Sequence, residues 1–516
     1  MTPGSDPSGH AGPEVDPLPL PALDPAQLGL GDMDAAAFRR HGHAVVEQVA
    51  RYLETVGERP PLPAIEPGAI AAALPAHPPT APEPLAAILA DVDRILLPGL
   101  THWTHPRFFA YFSSSASGPA ILGEWLAAAF NSNAMLWRTA PAATELERVA
   151  TAWLAELMGL PSSWVGHIND TASVSTLVAL GAAREAAGLA IRDEGLAGRP
   201  ELPRLRVYGS TETHSSVEKA VVTLGLGRRG YRALAADADL RLDPRSLADA
   251  IAEDRRLGWR PLAVVATVGT TSTASVDPVA ELAEVCAEAQ VWLHVDAAYG
   301  GALAIVPEQR GLLRGAERAD SLVVNPHKGL FVPLDCSVLY LRDPGRLRQA
   351  FSLVPAYLRS EGQQARATSA PGVGDLMDTG IALGRRFRSL KLWMTLRYFG
   401  ADGLAARIRD HLELAGRVAA FADARPDWER MAPSPLAVVC LRHHPPGWDA
   451  EDRLERHNRA LLTRLDAGGV VFCSHTEVRG CFTLRVAVGQ LRTTPADVDL
   501  LLGELERAAA EVAAAG

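Results

Sequence analysis

Cysteine is scarce: the 516 residues hold five, Cys286, Cys336, Cys440, Cys473 and Cys481, and none forms a C-x-x-C pair. That spacing excludes a disulfide-stapled scaffold and fits buried thiols in a reducing, cytoplasmic setting. Basic charge is short as well, with 50 Lys and Arg against 60 Asp and Glu and a net charge of -10. A phosphate backbone is held by clustered cations, so a general nucleic-acid binder is not expected. No uninterrupted apolar run approaches the ~20 residues of a membrane span, and the first residues lack a basic start followed by an apolar stretch. Neither membrane insertion nor a secretory leader is therefore expected. The His102-x-x-His105 pair lacks a convincing third ligand, and no metal site is predicted from it or from His443.

What the chain does contain is apolar material, 48% of residues, with 21% charged. This length and composition predict a large globular protein rather than a binding module or a disordered chain. Residues 1–30 are rich in Pro, Gly and Asp and read as a flexible leader. Within residues 31–100, Phe38, Val45, Val49, Tyr52 and Val56 recur at helical spacing before a Pro-rich interruption at 60–84, the pattern of an N-terminal helical arm and linker. Residues 101–398 alternate helical patterns with short β-branched runs, Leu205–Tyr208, Leu262–Val268, Val291–Val295 and Leu322–Val324, as parallel-sheet crossover units do. Residues 399–516 add helices and two apparent strands, Leu436–Leu441 and Phe482–Val488, and read as a smaller α/β domain.

In open α/β sheets ligands gather beyond the carboxyl ends of strands. There His294-Val295-Asp296-Ala297-Ala298-Tyr299-Gly300-Gly301 delivers an aspartate followed by small residues, and Ser321-Leu322-Val323-Val324-Asn325-Pro326-His327-Lys328 delivers a lysine. Alone, Asp296 reads more readily as a turn or capping residue and Lys328 as a surface residue. Together they supply an amine that can form a Schiff base with an aldehyde and a carboxylate that can hold a pyridine nitrogen protonated. Those are the protein groups that pyridoxal 5'-phosphate chemistry requires. Asp170-Thr171-Ala172-Ser173 precedes a helical run at 174–184, so its amides form either a phosphate site or an ordinary cap. Asn325 can add a donor. His214, in Glu212-Thr213-His214-Ser215-Ser216, follows a strand and can lie over a planar cofactor, and Thr270 in Gly269-Thr270-Thr271-Ser272 is placed to touch it.

With these motifs in order, the chain resembles the group II pyridoxal-phosphate decarboxylases, particularly the aromatic-L-amino-acid decarboxylases. The resemblance spans roughly residues 34–490 and rests on His102–Phe112, Thr211–Lys219, His294–Tyr299, Asn325–Lys328 and Leu383–Trp393. It implies a type I aminotransferase-like PLP-dependent transferase fold, an α/β fold with a mostly parallel central sheet and a smaller C-terminal α/β domain, assembled as a homodimer. It implies catalytic roles for Lys328, which attaches the cofactor, for Asp296 at the pyridine nitrogen, and for His214 stacked on the ring. Ala172, Ser173 and Asn325 then match phosphate-site positions, Thr270 and Ala298 match cofactor contacts, and His327 shapes the surroundings of the lysine. Trp103, Phe109, Tyr111 and Phe112 offer an aromatic wall for the substrate side chain.

The implied reaction is decarboxylation of an L-amino acid, with an aromatic one favoured, to an amine and carbon dioxide. One departure bears on the product. Counting back from Leu383-Gly384-Arg385-Arg386 places Asp375-Leu376 where relatives carry a catalytic Asp-Tyr pair in a loop spanning Ser360–Gly380. Thr379 and Tyr357 do not take over that position. Leucine has no proton to give. The alternative outcome is oxidative decarboxylation and deamination to an aldehyde; an unrelated Schiff-base lyase and a non-catalytic dimeric scaffold are the remaining alternatives.

Overall fold

The structure is a computed structural model that describes residues 23–353 and 374–515. Most of the Ser360–Gly380 loop, together with Tyr357 and most of the 1–30 leader, lies outside the described residues. The described chain divides into two compact units, one ending at His102 and one beginning at Trp103.

The first unit is built on a helix, Ala35–Thr55. Asp34 caps it, its carboxylate accepting from the amides of Ala36 and Ala37 at 2.8 and 2.7 Å, which satisfies two of the donors that a helix start leaves open. Asp24 accepts from Arg40 and lies 2.7 Å from His41 Nε2, pinning the preceding segment to the same helix. The Pro-rich stretch is not featureless: it holds a short helix, Ala69–Ala73. Tyr52 Oη lies 3.1 Å from His102 Nδ1.

The second unit carries two sheets among the described residues. The strands in chain order are β1 (Phe108–Phe109), β2 (Val165–Asn169), β3 (Arg204–Ser210), β4 (Tyr231–Leu234), β5 (Trp259–Thr267), β6 (Trp292–Asp296), β7 (Ser321–Val324), β8 (Ser337–Leu341), β9 (Trp428–Arg430), β10 (Val438–His443), β11 (Phe472–Val478) and β12 (Cys481–Ala487). The large sheet has the order β2-β8-β7-β6-β5-β3-β4. Its centre is parallel from β4 to β7, whereas β8 runs antiparallel to both β7 and β2. Covered on both faces, β5 and β7 carry no polar alternation: Val264, Val265, Ala266, Leu322, Val323 and Val324 are all fully buried. Each such branched side chain contributes roughly 1.5–3 kcal/mol of burial.

The small sheet has the order β1-β11-β12-β10-β9. Its edge strand β1 comes from far upstream, with Phe108 and Phe109 pairing in parallel with Phe472 and Cys473. The expected boundary at 398/399 falls inside a helix, Ser389–Asp423, whose regular geometry breaks at Gly400 with φ 65. The expected strands lie within or overlap β3, β5, β6, β7, β10 and β12.

Candidate active site

Parallel pairing puts the carboxyl ends of β3, β5, β6 and β7 on one edge of the large sheet. Because β2 is antiparallel to β8, and β8 to β7, β2 runs along β7 and its end at Asn169 opens on that edge too. Topology therefore gathers five strand ends: Asn169–Thr171 before the helix Ala172–Ala186, Ser210 before His214, Thr267 before Thr270, Asp296 itself, and Val324 before Asn325 and Lys328. These segments are separated by up to about 160 residues in sequence.

At β6, Asp296 is buried, and one carboxylate oxygen accepts from the Ala298 amide at 3.1 Å. Behind it, Gly300 donates its amide to the Val268 carbonyl at 3.0 Å. A Cβ at Gly300 would lie 2.5 Å from that oxygen, so the close approach of the β6 turn to β5 requires glycine. Lys328 follows β7. Burial pulls its amine below the usual lysine range, Asp296 opposes that shift, and the cation of Arg485 adds to it. The Lys328 Nζ sits 4.8 Å from the Phe112 ring centroid, and Phe112 stacks on Tyr299 with centroids 4.1 Å apart.

Two histidines face the same cavity, each with a fixed ring. The Ser216 amide donates to His214 Nδ1 at 3.1 Å, and Ser216 Oγ lies 2.7 Å from the same nitrogen. With Nδ1 accepting, the neutral ring carries its proton on Nε2. Burial lowers the His214 pKa, Asp296 raises it, and Lys328 lowers it. His327 Nδ1 accepts from the Cys336 amide at 3.0 Å. Its pKa is pushed down to about 4 by burial and by the Lys328 charge, so it is a neutral ring at physiological pH.

The helix Ala172–Ala186 begins without a side-chain cap. Thr171 Oγ1 turns to its neighbour Asp170, and the first intrahelical bonds start from Val174 and Ser175. The amides of Ala172 and Ser173 are left open, the arrangement that binds anions. Asn325 is buried at 2% exposure with its side-chain oxygen unsatisfied. Thr270, by contrast, is fully buried, its hydroxyl engaged with Thr273 Oγ1 and the Ser275 amide, both at 3.0 Å. The residues of that loop which face the cavity are Thr271 and Ser272.

The cavity at Lys328 has a volume of about 680 Å³. Trp103, Tyr111 and Phe112 line it, with Trp103 and Tyr111 stacked at 5.7 Å and 21°. Phe109 does not reach it: its ring is fully buried in the core beneath the small sheet, with Val439, Leu441 and Leu484. Alternation alone would put Phe109 and Tyr111 on one face; they part because Phe109 is held in β1 while Tyr111, with φ 51, has left the strand.

Sequence reading passed over Arg485 and the edge of β11. Arg485 is buried at 3% exposure and lines the cavity. Its Nε donates to the Ser272 carbonyl at 2.9 Å, and its guanidinium lies 4.6 Å from the Phe112 centroid. A charged residue inside the apolar alternation of β12 was the available signal. Leu376 begins a short turn, Leu376–Thr379, and is not among the residues lining the cavity. Its neighbours anchor it elsewhere: Asp375 accepts from the Trp137 amide at 2.9 Å, and Thr379 Oγ1 lies 2.9 Å from His167 Nδ1.

An amine of lowered pKa, a buried carboxylate, fixed neutral histidines and open helix amides on one sheet edge describe an α/β enzyme that works through an anionic aldehyde cofactor. Residues 67–444 match the family model described as the pyridoxal-dependent decarboxylase conserved domain, and the chain belongs to that family. It is a pyridoxal-phosphate-dependent decarboxylase of fold type I. It is 38% identical over 480 residues to tryptophan decarboxylase 2 of Oryza sativa subsp. japonica, covering 91% of this chain and 94% of that one. It is equally 38% identical, over 468 residues, to phenylacetaldehyde synthase of Arabidopsis thaliana, covering 89% and 93%. The crystal structure of Oryza sativa TDC with PLP and tryptamine matches with a TM-score of 0.88 at 36% identity, covering 95% of this chain and 99% of that chain.

Proposed function

We propose that this enzyme decarboxylates an aromatic L-amino acid to the corresponding amine in the cavity beside Lys328. The observation that carries this reading is the aromatic wall of Trp103, Tyr111 and Phe112 standing next to a lysine of lowered pKa. Relatives named tryptophan decarboxylase and tyrosine decarboxylase agree with it.

The chain's groups suit the cofactor. Open amides at Ala172 and Ser173, with the unsatisfied amide side chain of Asn325, receive its phosphate. Asp296 would hold the ring nitrogen protonated, with His214, Ala298 and His327 as the other groups available to the ring, whereas the Thr270 side chain is turned into its own loop and Thr271 and Ser272 face the cavity instead. Lys328, its amine pulled below the usual lysine range by burial, would be the attachment point. When bound, the cofactor supplies a sink for the electron pair left as carbon dioxide departs. An apolar wall beside the substrate carboxylate would favour loss of its charge, and the imidazolium form of His214 can hand a proton into the cavity it faces.

A second outcome has its own observation. Leu376 stands where a proton-donating tyrosine is expected, which favours oxidative decarboxylation and deamination to an aldehyde. Mass-resolved product analysis of the cofactor-loaded enzyme with a panel of L-amino acids, and Lys328→Ala as control, decides between them. Amine and carbon dioxide are expected; aldehyde with ammonia and peroxide would replace the leading reading.

A homodimer is part of this proposal. Leu122, Leu126 and Phe130 form one stripe of the helix Gly118–Phe130 and are 54%, 43% and 61% exposed in the single chain, more apolar surface than a lone helix face leaves in water without purpose. A second copy is the expected cover. Five unpaired cysteines support a reducing, cytoplasmic setting. No helix among the described residues is long and apolar enough to cross a membrane.

A further inference from the structure

The aromatic wall rides on a stretch, Trp103–Ser115, in which only Phe108 and Phe109 form a strand. Backbone with so little regular pairing has to be held by other parts of the chain. Residues that follow β12 do this. The Thr493 hydroxyl donates to the Pro106 carbonyl at 2.6 Å, and the Leu491 amide donates to Ser115 Oγ at 3.2 Å. Gly489 packs so close to the stretch that a Cβ there would lie 2.9 Å from Ser113 Cβ. Trp103 itself is held by Gln490, whose side-chain amide donates to the Trp103 carbonyl. Trp103 makes no other hydrogen bond among the described residues.

Gln490 is fixed from the opposite side. It is buried, and its backbone carbonyl lies 3.0 Å from His411 Nε2. Only a protonated Nε2 can donate to that oxygen, and burial lowers the His411 pKa in favour of the neutral ring. His411 belongs to the helix Ser389–Asp423 and meets the Phe331 ring edge-on, with centroids 5.7 Å apart. Two hydrogen bonds in series therefore tie Trp103 to the long helix. The other end of the Gln490 amide, Oε1, has no partner among the described residues, so Nε2 alone anchors the side chain.

The Trp103 indole lines the Lys328 cavity, stacked on Tyr111 at 5.7 Å and leaning on Phe108 at 4.6 Å. Its carbonyl carbon is bonded to the Cα that carries the ring, so fixing the one limits the swing of the other. A wall set free keeps its apolar area but has to be ordered again when a ligand binds, and that cost falls on affinity.

We propose that Gln490 is a positioning residue for the aromatic substrate, placing the Trp103 indole through the Trp103 backbone. The inference rests on the aromatic amino-acid reading of the site and deepens it. Loss of one neutral hydrogen bond behind the wall corresponds to about three- to tenfold in affinity.

The test measures kcat and KM of the holoenzyme for L-tryptophan, L-tyrosine and L-phenylalanine in the wild type, Gln490→Met, Trp103→Leu and the double variant, with calorimetric binding of tryptamine and tyramine to each. Gln490→Met, of similar length but without a donor, is expected to raise KM about fivefold while kcat changes less than twofold, and to weaken amine binding in parallel. In the Trp103→Leu background no indole is left to place, and the same substitution should move KM less than twofold. Thr493→Val loosens the strap at Pro106 and should leave KM within twofold. Gln490→Asn, which stays polar but falls one methylene short of the carbonyl, should act as Gln490→Met does and decides the matter if that variant does not fold. An unchanged KM in the Gln490 variants, an equal rise with and without the Trp103 indole, or an equal rise in Thr493→Val overturns the inference and leaves the aromatic reading intact. If the wild type turns over none of the three amino acids and binds neither amine, the aromatic reading itself is lost, and this inference with it.

Discussion

Arg485 holds Tyr111 by its backbone: a guanidinium amino group from β12 donates to the Tyr111 carbonyl, while Nε takes the Ser272 carbonyl at 2.9 Å. Tyr111 needs holding. Its φ is 51, in the left-handed region where a bulky residue costs energy, yet its ring is 55% exposed at the cavity. The interactions that offset this strain come from the small sheet, from Arg485 and Ser474, which couples that sheet to the aromatic wall of the cavity.

Arg485→Met should therefore raise KM for an aromatic substrate about tenfold with a smaller change in kcat. Arg485→Lys should not rescue it, because a single ammonium cannot span two carbonyls in fixed planar geometry. Removing the cation should also raise the Lys328 pKa, since Arg485 helps to depress it. Steady-state kinetics and a pH titration of the cofactor's visible absorbance in the two variants check both statements; a kcat defect with unchanged KM would contradict the positioning role.

Asp296→Asn should reduce kcat on the order of 10²–10³, the scale of removing one preorganised electrostatic partner. The Asp296 charge also raises the His214 pKa. With that charge gone, the acid limb of the pH profile should move to lower pH, and a limb that stays in place would separate His214 from Asp296.

His294 lies under the site, buried, with Nδ1 2.9 Å from Ser321 Oγ and Nε2 unsatisfied. Burial pushes its pKa down to about 4, whereas an unfolded histidine titrates near ~6.5. As pH falls between those values the unfolded chain binds the proton first, so stability is complete above ~6.5 and is lost toward 4, at up to about 1.4 kcal/mol per pH unit. Denaturant unfolding between pH 7 and 4.5 should show a shallower slope for His294→Gln than for the wild type, whatever that variant's stability at pH 7.

Leu376→Tyr restores a proton donor to the turn that ends the 360–380 loop. The ratio of amine to aldehyde should rise in this variant, with peroxide release falling in step. Equal product ratios in the variant and wild type would show that the donor lies elsewhere, with His214 the first residue to replace.

Self-association through the Gly118–Phe130 helix predicts a light-scattering mass near twice the 54.9 kDa chain. Leu126→Glu with Phe130→Glu should bring it to a single chain.

The sequence by itself determined the alternation of helix and strand in the large sheet, because runs such as Leu262–Val268 have no polar face and can only be buried on both sides. It also marked Asp296 and Lys328 as candidates, because each follows a strand into a polar turn with small residues, and it singled out Leu376 by position alone. Only the tertiary structure decided which aromatics line the cavity. Phe109 and Tyr111 are two residues apart and look alike, but pairing of β1 with β11 buries the first, and a left-handed turn held by Arg485 exposes the second. It likewise decided that Thr271 and Ser272, rather than the Thr270 side chain, face the cavity, and that a strand some 370 residues downstream of Tyr111 supplies Arg485. Such contacts depend on register between strands distant in sequence, and no local pattern of residues specifies that register.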